Sequence, residues 1–453
     1  MVGRPTTLGG ILRLLREPVE REKKDLMRQG WQGLSASLRA GTQGLGRQAT
    51  GCGATIGIQP RCDFDCTGCY LGSEANRADP LDLSDSMAQL GALRRHLGPK
   101  GNVQLTDGEV TLRPMGELLA LLRHARAIGL IPMLMTHGDT FRRRPDLLPT
   151  LVREGFLSEV AIHIDTTQRG RLGYKTARQE GDLVSLREEF AAMIRRVRRV
   201  TGRRLRAAMT MTIGHHNVGT VADVVRWCLL NRDAFGMVSF QPAARVGRTR
   251  AELRGVGVTR LWREIARGLA PFGFREGRRK RLMFGHPDCT RLEAMGVFER
   301  RGERPRIVPI LREGHPEDER IVRRYLGSRI AGVNFRDDSV AEYVCRLVGG
   351  LLQEPSFTLG EGRRWLAARL SALGGSLPAL CVDLLRGRAR LDAFTVTSHH
   401  FMNRQELASS RGRERLAACV FRIPVNGRMV SMCEVNLSGA REAVYARAPV
   451  IAR

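Results

Sequence analysis

The sequence predicts an α/β fold: an open, partial (β/α)6 barrel followed by a C-terminal mixed α/β domain. Two observations carry this. Between about residues 54 and 250, six short apolar runs alternate with longer amphipathic stretches, the pattern of parallel strands joined by crossover helices. Beyond residue 250 the alternation is lost, so a second kind of structure begins there. A chain of 453 residues, 42% of them hydrophobic, is also long and apolar enough to bury a core across two or three domains.

Taken in order, residues 1–50 read as a basic helical arm. Ile11, Leu14, Leu15, Val19 and Leu26 recur at helical spacing, and the Gly-rich stretch Gly41–Gly53 reads as a linker. Strands are expected over Ala54–Gln59, Asn102–Thr106, Ile131–Thr136, Glu159–Ile164, Leu205–Ile213 and Gly236–Gln241. The intervening helices are expected over Ser84–His96, Met115–Ala127, Leu147–Glu154, Leu183–Val200 and Val221–Asn231. These units make residues 51–250 the partial barrel, whose site should lie at the C-terminal ends of the strands. Residues 251–335 read as a connecting region, and residues 336–453 as the C-terminal domain, largely helical at first and mixed toward its end.

The net charge is +28, with basic runs at Arg195-Arg196, Arg198-Arg199, Arg203-Arg204 and Arg278-Arg279-Lys280-Arg281. Such a surface favours polyanions: nucleic acid, anionic lipid headgroups or phosphorylated ligands. Solvated helix faces and loops are the ordinary reading of such runs. No aromatics are interleaved with them, which disfavours a single-strand stacking surface and leaves nucleic acid the less favoured partner. No apolar stretch approaches the roughly 18 residues of a membrane span, and Leu8–Leu15 is broken by Arg13. A cytoplasmic protein is expected, with peripheral attachment to an anionic membrane as a variant.

Three of the 10 cysteines fall within eight positions, Cys62, Cys66 and Cys69, in the spacing C-x3-C-x2-C directly after the first strand. In a reducing compartment such clustering points to metal rather than disulfides. Three thiolates on a tight loop can each hold one iron of a [4Fe–4S] cluster and leave the fourth iron without a protein ligand. A three-cysteine zinc site is the competing reading, but no histidine stands nearby in sequence to complete it.

This segment resembles the radical S-adenosylmethionine (SAM) superfamily, and the resemblance spans roughly residues 52–245. It implies that the open iron chelates the amino and carboxylate groups of SAM, whose reductive cleavage gives a 5′-deoxyadenosyl radical. The family's Gly-Gly-Glu turn after the second strand corresponds to Asp107-Gly108-Glu109, with Asp107 in place of the first glycine. Thr136-His137-Gly138 resembles the family's Thr-Asn-Gly turn after the third strand, which makes His137 a site-lining candidate; a structural hydrogen bond is the alternative. Gly68 stands where the family has an aromatic beside the adenine, and Tyr70 is the candidate substitute. Asp165, Thr166, Thr212 and Gln241 are further strand-end candidates, although a helix cap or loop role suits each of them.

Toward the C-terminus, Asn426-Gly427 between apolar runs signals a hairpin, expected to place Cys419 and Cys433 on adjacent strands. Packing as small hydrophobes is the default for such cysteines. The order Phe401-Met402-Asn403, Arg415, Cys419, Pro424, Gly427-Arg428, Cys433 and Asn436 resembles the radical SAM branch of the archaeal tetraether lipid synthases and the related pterin dimethyltransferase. That resemblance implies an auxiliary [4Fe–4S] cluster with Cys289, Cys419 and Cys433 as candidate ligands and Cys345 or Cys381 as a fourth. Cys52 and Cys228 read as structural. The implied function is a transferase that alkylates or couples an unactivated carbon of a lipid-like or other small-molecule substrate, fed by ferredoxin or flavodoxin. A methyltransferase acting on a pterin-like heterocycle, RNA or peptide is the alternative. A non-enzymatic iron–sulfur regulator would leave the Asp107-Gly108-Glu109 turn without a purpose.

Overall fold

The structure, a computed structural model, describes residues 8–39, 54–275, 285–312, 314–333, 338–371, 373 and 377–446. The expected linker, the basic run at residues 278–281 and Cys52 lie outside the described residues. No helix among the described residues is long and apolar enough to cross a membrane.

Six strands run parallel in sequence order: β1 (Ala54–Gln59), β2 (Asn102–Asp107), β3 (Ile131–Thr136), β4 (Glu159–His163), β5 (Arg206–Ile213) and β6 (Phe235–Pro242). All six residues of β1 are buried, as befits a parallel strand covered on both faces. The crossover helices bury one stripe each. Helix Val184–Thr201 sets Leu186, Phe190, Ile194 and Val197 against the sheet and ends at Gly202, whose φ of +61° caps it in the left-handed conformation. Helices Leu83–Leu97, Met115–Ala127, Leu147–Glu154 and Val221–Leu230 supply most of the remaining outer layer of one continuous core.

The sheet does not stop at the sixth strand. Beside β6, in parallel, lies Ala389–His399, far along the chain, with Met237 opposite Thr395 and Phe240 opposite Ser398. Two antiparallel strands complete the sheet: β7 (Thr290–Arg300) and β8 (Arg306–Pro309), giving the order β1-β2-β3-β4-β5-β6-β9-β7-β8 with β9 being Ala389–His399. Phe394 and Val396 of β9 are buried in the barrel core, and Ser398 accepts a hydrogen bond from Trp262 Nε1 at 2.9 Å. Part of the expected C-terminal tail is therefore a barrel strand.

The rest of the tail is a separate α/β region. Its hairpin, β10 (Arg422–Val425) with β11 (Arg428–Ser431), turns at Asn426-Gly427 as expected, both residues at positive φ. Cys419 and Cys433 are not on these strands. Cys419 follows helix Ser410–Ala417, and Cys433 lies in helix Met432–Leu437, because four-residue strands are too short to reach either.

Candidate metal centre

At the C-terminal ends of β1–β6, one cavity of about 170 Å3 is lined by Cys62, Cys66, Cys69, Tyr70, the turns at residues 106–109 and 135–137, and by Thr212 and Gln241. The three cysteines, all half-buried and free of disulfides, sit on a loop pinned from two sides. Asp65 N–H donates to the Arg169 carbonyl and Thr67 N–H to the Thr167 carbonyl. From the other side, the segment after β6 lies along the loop: Arg248 N–H donates to the Leu71 carbonyl, Thr249 Oγ1 to the Cys69 carbonyl, and Arg250 N–H to the Thr67 carbonyl. Gly247, at φ +54°, permits this approach, since a Cβ there would stand 2.3 Å from the Tyr70 carbonyl carbon.

The two turns are bound to each other by Glu109. Its Oε1 accepts from Thr111 N–H (3.0 Å), Thr111 Oγ1 (2.5 Å) and Thr136 Oγ1 (2.7 Å), and its Oε2 accepts from His137 N–H (2.9 Å). Glu109 thus positions the second and third strand ends. Gly108 brings the backbone against the cluster loop, because a Cβ would lie 2.1 Å from the Arg61 carbonyl oxygen. Thr136 Oγ1 in turn accepts from Gly138 N–H at 2.9 Å. Asp107 adopts φ +92°, a region that favours glycine. Its buried carboxylate is held by Arg441 and by Tyr445 Oη (2.5 Å) of the last described helix, Ala440–Ala446. Tyr70 packs beside it under the Arg441 guanidinium, 4.8 Å from its ring centroid.

His137 stacks on Phe64, with centroids 3.8 Å apart and planes within 2°. Nδ1 accepts from Asp139 N–H, so Nε2 carries the proton and donates to Asp63 Oδ1 at 2.8 Å. The His137 contact, with a smaller one from Arg143, holds the Asp63 carboxyl well below its ordinary range despite burial. Cys62, Asp63 and His137 offer ligand atoms within 4.8 Å of one another, a spacing suited to a single ion. The histidine and aspartate already satisfy each other without one, and a cubane takes ligands set wider apart. Burial pushes the Cys62 thiol up to about 12 and the Cys66 thiol well above its ordinary value. Metal ligation is what makes thiolates of cysteines so placed. Three cysteines on one loop, with no fourth cysteine among the described residues that line the cavity, fit a cluster with an open iron.

The space over Gly68 is filled by Leu253 and Thr212, which a Cβ would meet at 2.8 and 3.2 Å, so no aromatic could stand there. Of the strand-end candidates, Thr212 and Gln241 line the cavity. Thr166 is committed to Glu180 Oε1, and Asp165 to Thr167, Thr212 N–H and His163. His163 itself, absent from the sequence candidates, lines the cavity with Nε2 2.5 Å from Asp165 Oδ2. Burial opposes ionisation of Asp165, but the His163 charge and these hydrogen bonds hold its carboxyl below the ordinary range.

Cys289, Cys419 and Cys433 come into electrostatic reach of one another around Arg415. Arg415 Nε donates to Cys289 Sγ at 3.2 Å, Ser431 Oγ to Cys419 Sγ at 3.2 Å, and Met402 N–H to Cys433 Sγ at 3.4 Å. Burial first, then the neighbouring sulfurs, push the Cys433 thiol up to about 12. The expected fourth sulfurs are elsewhere. Cys381 is exposed on helix Leu377–Leu385, whose Leu380 packs by Phe298 and Ala389, at the far end of β7 and β9 from Cys289. Eleven paired strand residues separate those ends, roughly 33 Å at the usual rise. Cys345 is on helix Val340–Gln353, packed on Leu8–Arg16 near Lys100, at the N-terminal end of β2. Cys228 is buried in the core.

The family model of the radical SAM superfamily matches residues 56–228. Those residues are a radical SAM domain, and the chain is a radical SAM enzyme. No curated protein matches the chain. Among solved structures it is similar to the X-ray structure of the FeFe-hydrogenase maturase HydG from Carboxydothermus hydrogenoformans. The identity is 12% and the TM-score 0.34, over 80% of this chain and 93% of that one, a likeness too loose to bear on activity.

Proposed function

We propose that this radical SAM enzyme alkylates or couples an unactivated carbon of a lipid-like substrate. Cys62, Cys66 and Cys69 hold its [4Fe–4S] cluster. When bound, the cluster with SAM supplies a 5′-deoxyadenosyl radical, formed as one electron breaks the sulfonium C–S bond and releases methionine. The chain's own residues then do the positioning: Glu109 fixes the two turns, and Tyr70 and His137 shape the wall. The observation that carries the lipid reading is the cavity's roof. Phe401, Phe421 and Met432 of the C-terminal region, with Leu71 and Met135, give the cysteine-lined cavity an apolar side that suits a hydrocarbon chain.

Cys289, Cys419 and Cys433 are the proposed ligands of an auxiliary cluster: Cys419 and Cys433 are close in the chain to Phe421 and Met432, and the Cys289 carbonyl accepts from His400 N–H. A ferredoxin or flavodoxin is the proposed electron donor, and the setting is cytoplasmic, with contact to anionic membrane drawn by the +28 charge. A second reading, methylation of a hydrogen-bonding heterocycle, is favoured by Gln104, Thr210, Gln241 and His163, which also line the cavity.

Anaerobic reconstitution with SAM and dithionite tests the core of this reading. The expected result is 5′-deoxyadenosine, lost on Cys66→Ala, with about eight irons per chain if both clusters form and about four if only the first does. Lipid extracts incubated with the active enzyme should change in mass profile. Turnover of SAM with unchanged lipids and a methylated pterin would decide for the second reading.

A further inference from the structure

We infer that Arg248 is an anion-binding group of the cavity and that the substrate carries a carboxylate or phosphate beside its apolar part. The inference rests on the lipid-like reading and narrows it to an anionic amphiphile.

Arg248 is the single guanidinium among the described residues that line the cavity. Its Nε is buried with no hydrogen-bond partner, and among the described residues no ion pair engages the group. The other charges there are spoken for. Asp107 is held by Arg441 and Tyr445, Glu109 by four donors, and His137 by Asp63. Leaving a guanidinium partly buried and unpaired is costly, whereas an incoming oxyanion meets a flat fork of donors already in place.

Its placement is built rather than incidental. The backbone of Arg248 is fixed by its bond to the Leu71 carbonyl, and its neighbours Gly247, Thr249 and Arg250 all contact the cluster loop. The group therefore stands at a set position relative to Cys69. Phe401, Phe421 and Met432 line the same cavity. An anion at Arg248 and a hydrocarbon under that roof would register one carbon of the chain in the cavity.

The test uses the full chain with its cluster reconstituted anaerobically, as wild type, Arg248→Gln and Arg248→Lys. Decyl phosphate is the probe, its binding measured by calorimetry; SAM affinity, iron content and 5′-deoxyadenosine formation are measured alongside. Arg248→Gln should weaken decyl phosphate by about tenfold or more, the loss of a charged hydrogen-bonding partner. Arg248→Lys should recover part of it, and added salt should erode it. SAM affinity and iron per chain should stay within about twofold. Three results would each overturn the inference: no decyl phosphate binding by wild type, equal binding by Arg248→Gln, or a loss confined to SAM. Because calorimetry needs no turnover, a wild type that binds the probe but makes no 5′-deoxyadenosine would count against the radical reading alone.

Discussion

Asp107 occupies a backbone conformation that suits glycine, and what keeps it there is its side chain. Arg441 and Tyr445 reach it from the last described helix, and both partners of the ion pair are buried. Removing either partner strands a buried charge, so Asp107→Gly and Arg441→Met should each cost about 3–5 kcal/mol in denaturant unfolding. The double variant should recover about 1–3 kcal/mol of their sum; strict additivity would mean that the pair is not coupled. Glu109→Gln replaces one oxygen with an amide that cannot accept. One of its four donors is then left unmet, which should cost about 1–3 kcal/mol and raise the SAM concentration needed for half-maximal 5′-deoxyadenosine formation. The cysteine trio and both turns were legible in the sequence because their spacing is local. Arg441, Arg248 and His163 were not: each matters through a contact made across the fold, and nothing adjacent in the chain marks it.

At the scale of elements, local periodicity read well. Helices Met115–Ala127 and Leu147–Glu154 match expectation to the residue, and β1 and β3 do too. In the sequence the segment after β6 shows only as the end of the alternation, since its hydrogen bonds to the cluster loop lie in backbone atoms that no side-chain pattern reports. Gly247→Val should push this segment off the loop, and iron retained after desalting should fall while the far-ultraviolet spectrum stays unchanged. The N-terminal helix Arg21–Gln32 offers a pH test. Burial, and next the charge of Arg94, lower the Lys23 amine from 10.5 to about 8 where it donates to the Leu97 carbonyl. The unfolded chain then holds one more proton than the folded one between about pH 8 and 10.5. Docking of this helix should strengthen as pH rises through that window and be flat just below it, as amide exchange of residues 21–32 can show.

At the scale of the molecule, β9 joins the C-terminal half to the barrel. It lies between the parallel β6 and the antiparallel β7, and it ends at His399, next to the segments carrying Phe401 and Cys419. Its burial of Phe394 and Val396 in the common core predicts that a chain ending at residue 388 loses cooperative unfolding of the barrel as well as the roof; a sharp thermal transition in that truncation would disprove it. Sequence alternation could not assign this strand, since its partner lies beyond two helical regions and a different topology. One consequence concerns synthesis on the ribosome. The edge of β6 is complete once Pro242 has emerged, yet its partner strand waits until residues 243–388 have been made, about 7–30 s at bacterial to eukaryotic elongation rates. Through that interval a nascent barrel presents an unpaired apolar edge, the kind that invites pairing with another chain. Chaperone supply and slow translation near residue 390 should therefore govern the yield of soluble protein more than conditions chosen for cluster assembly.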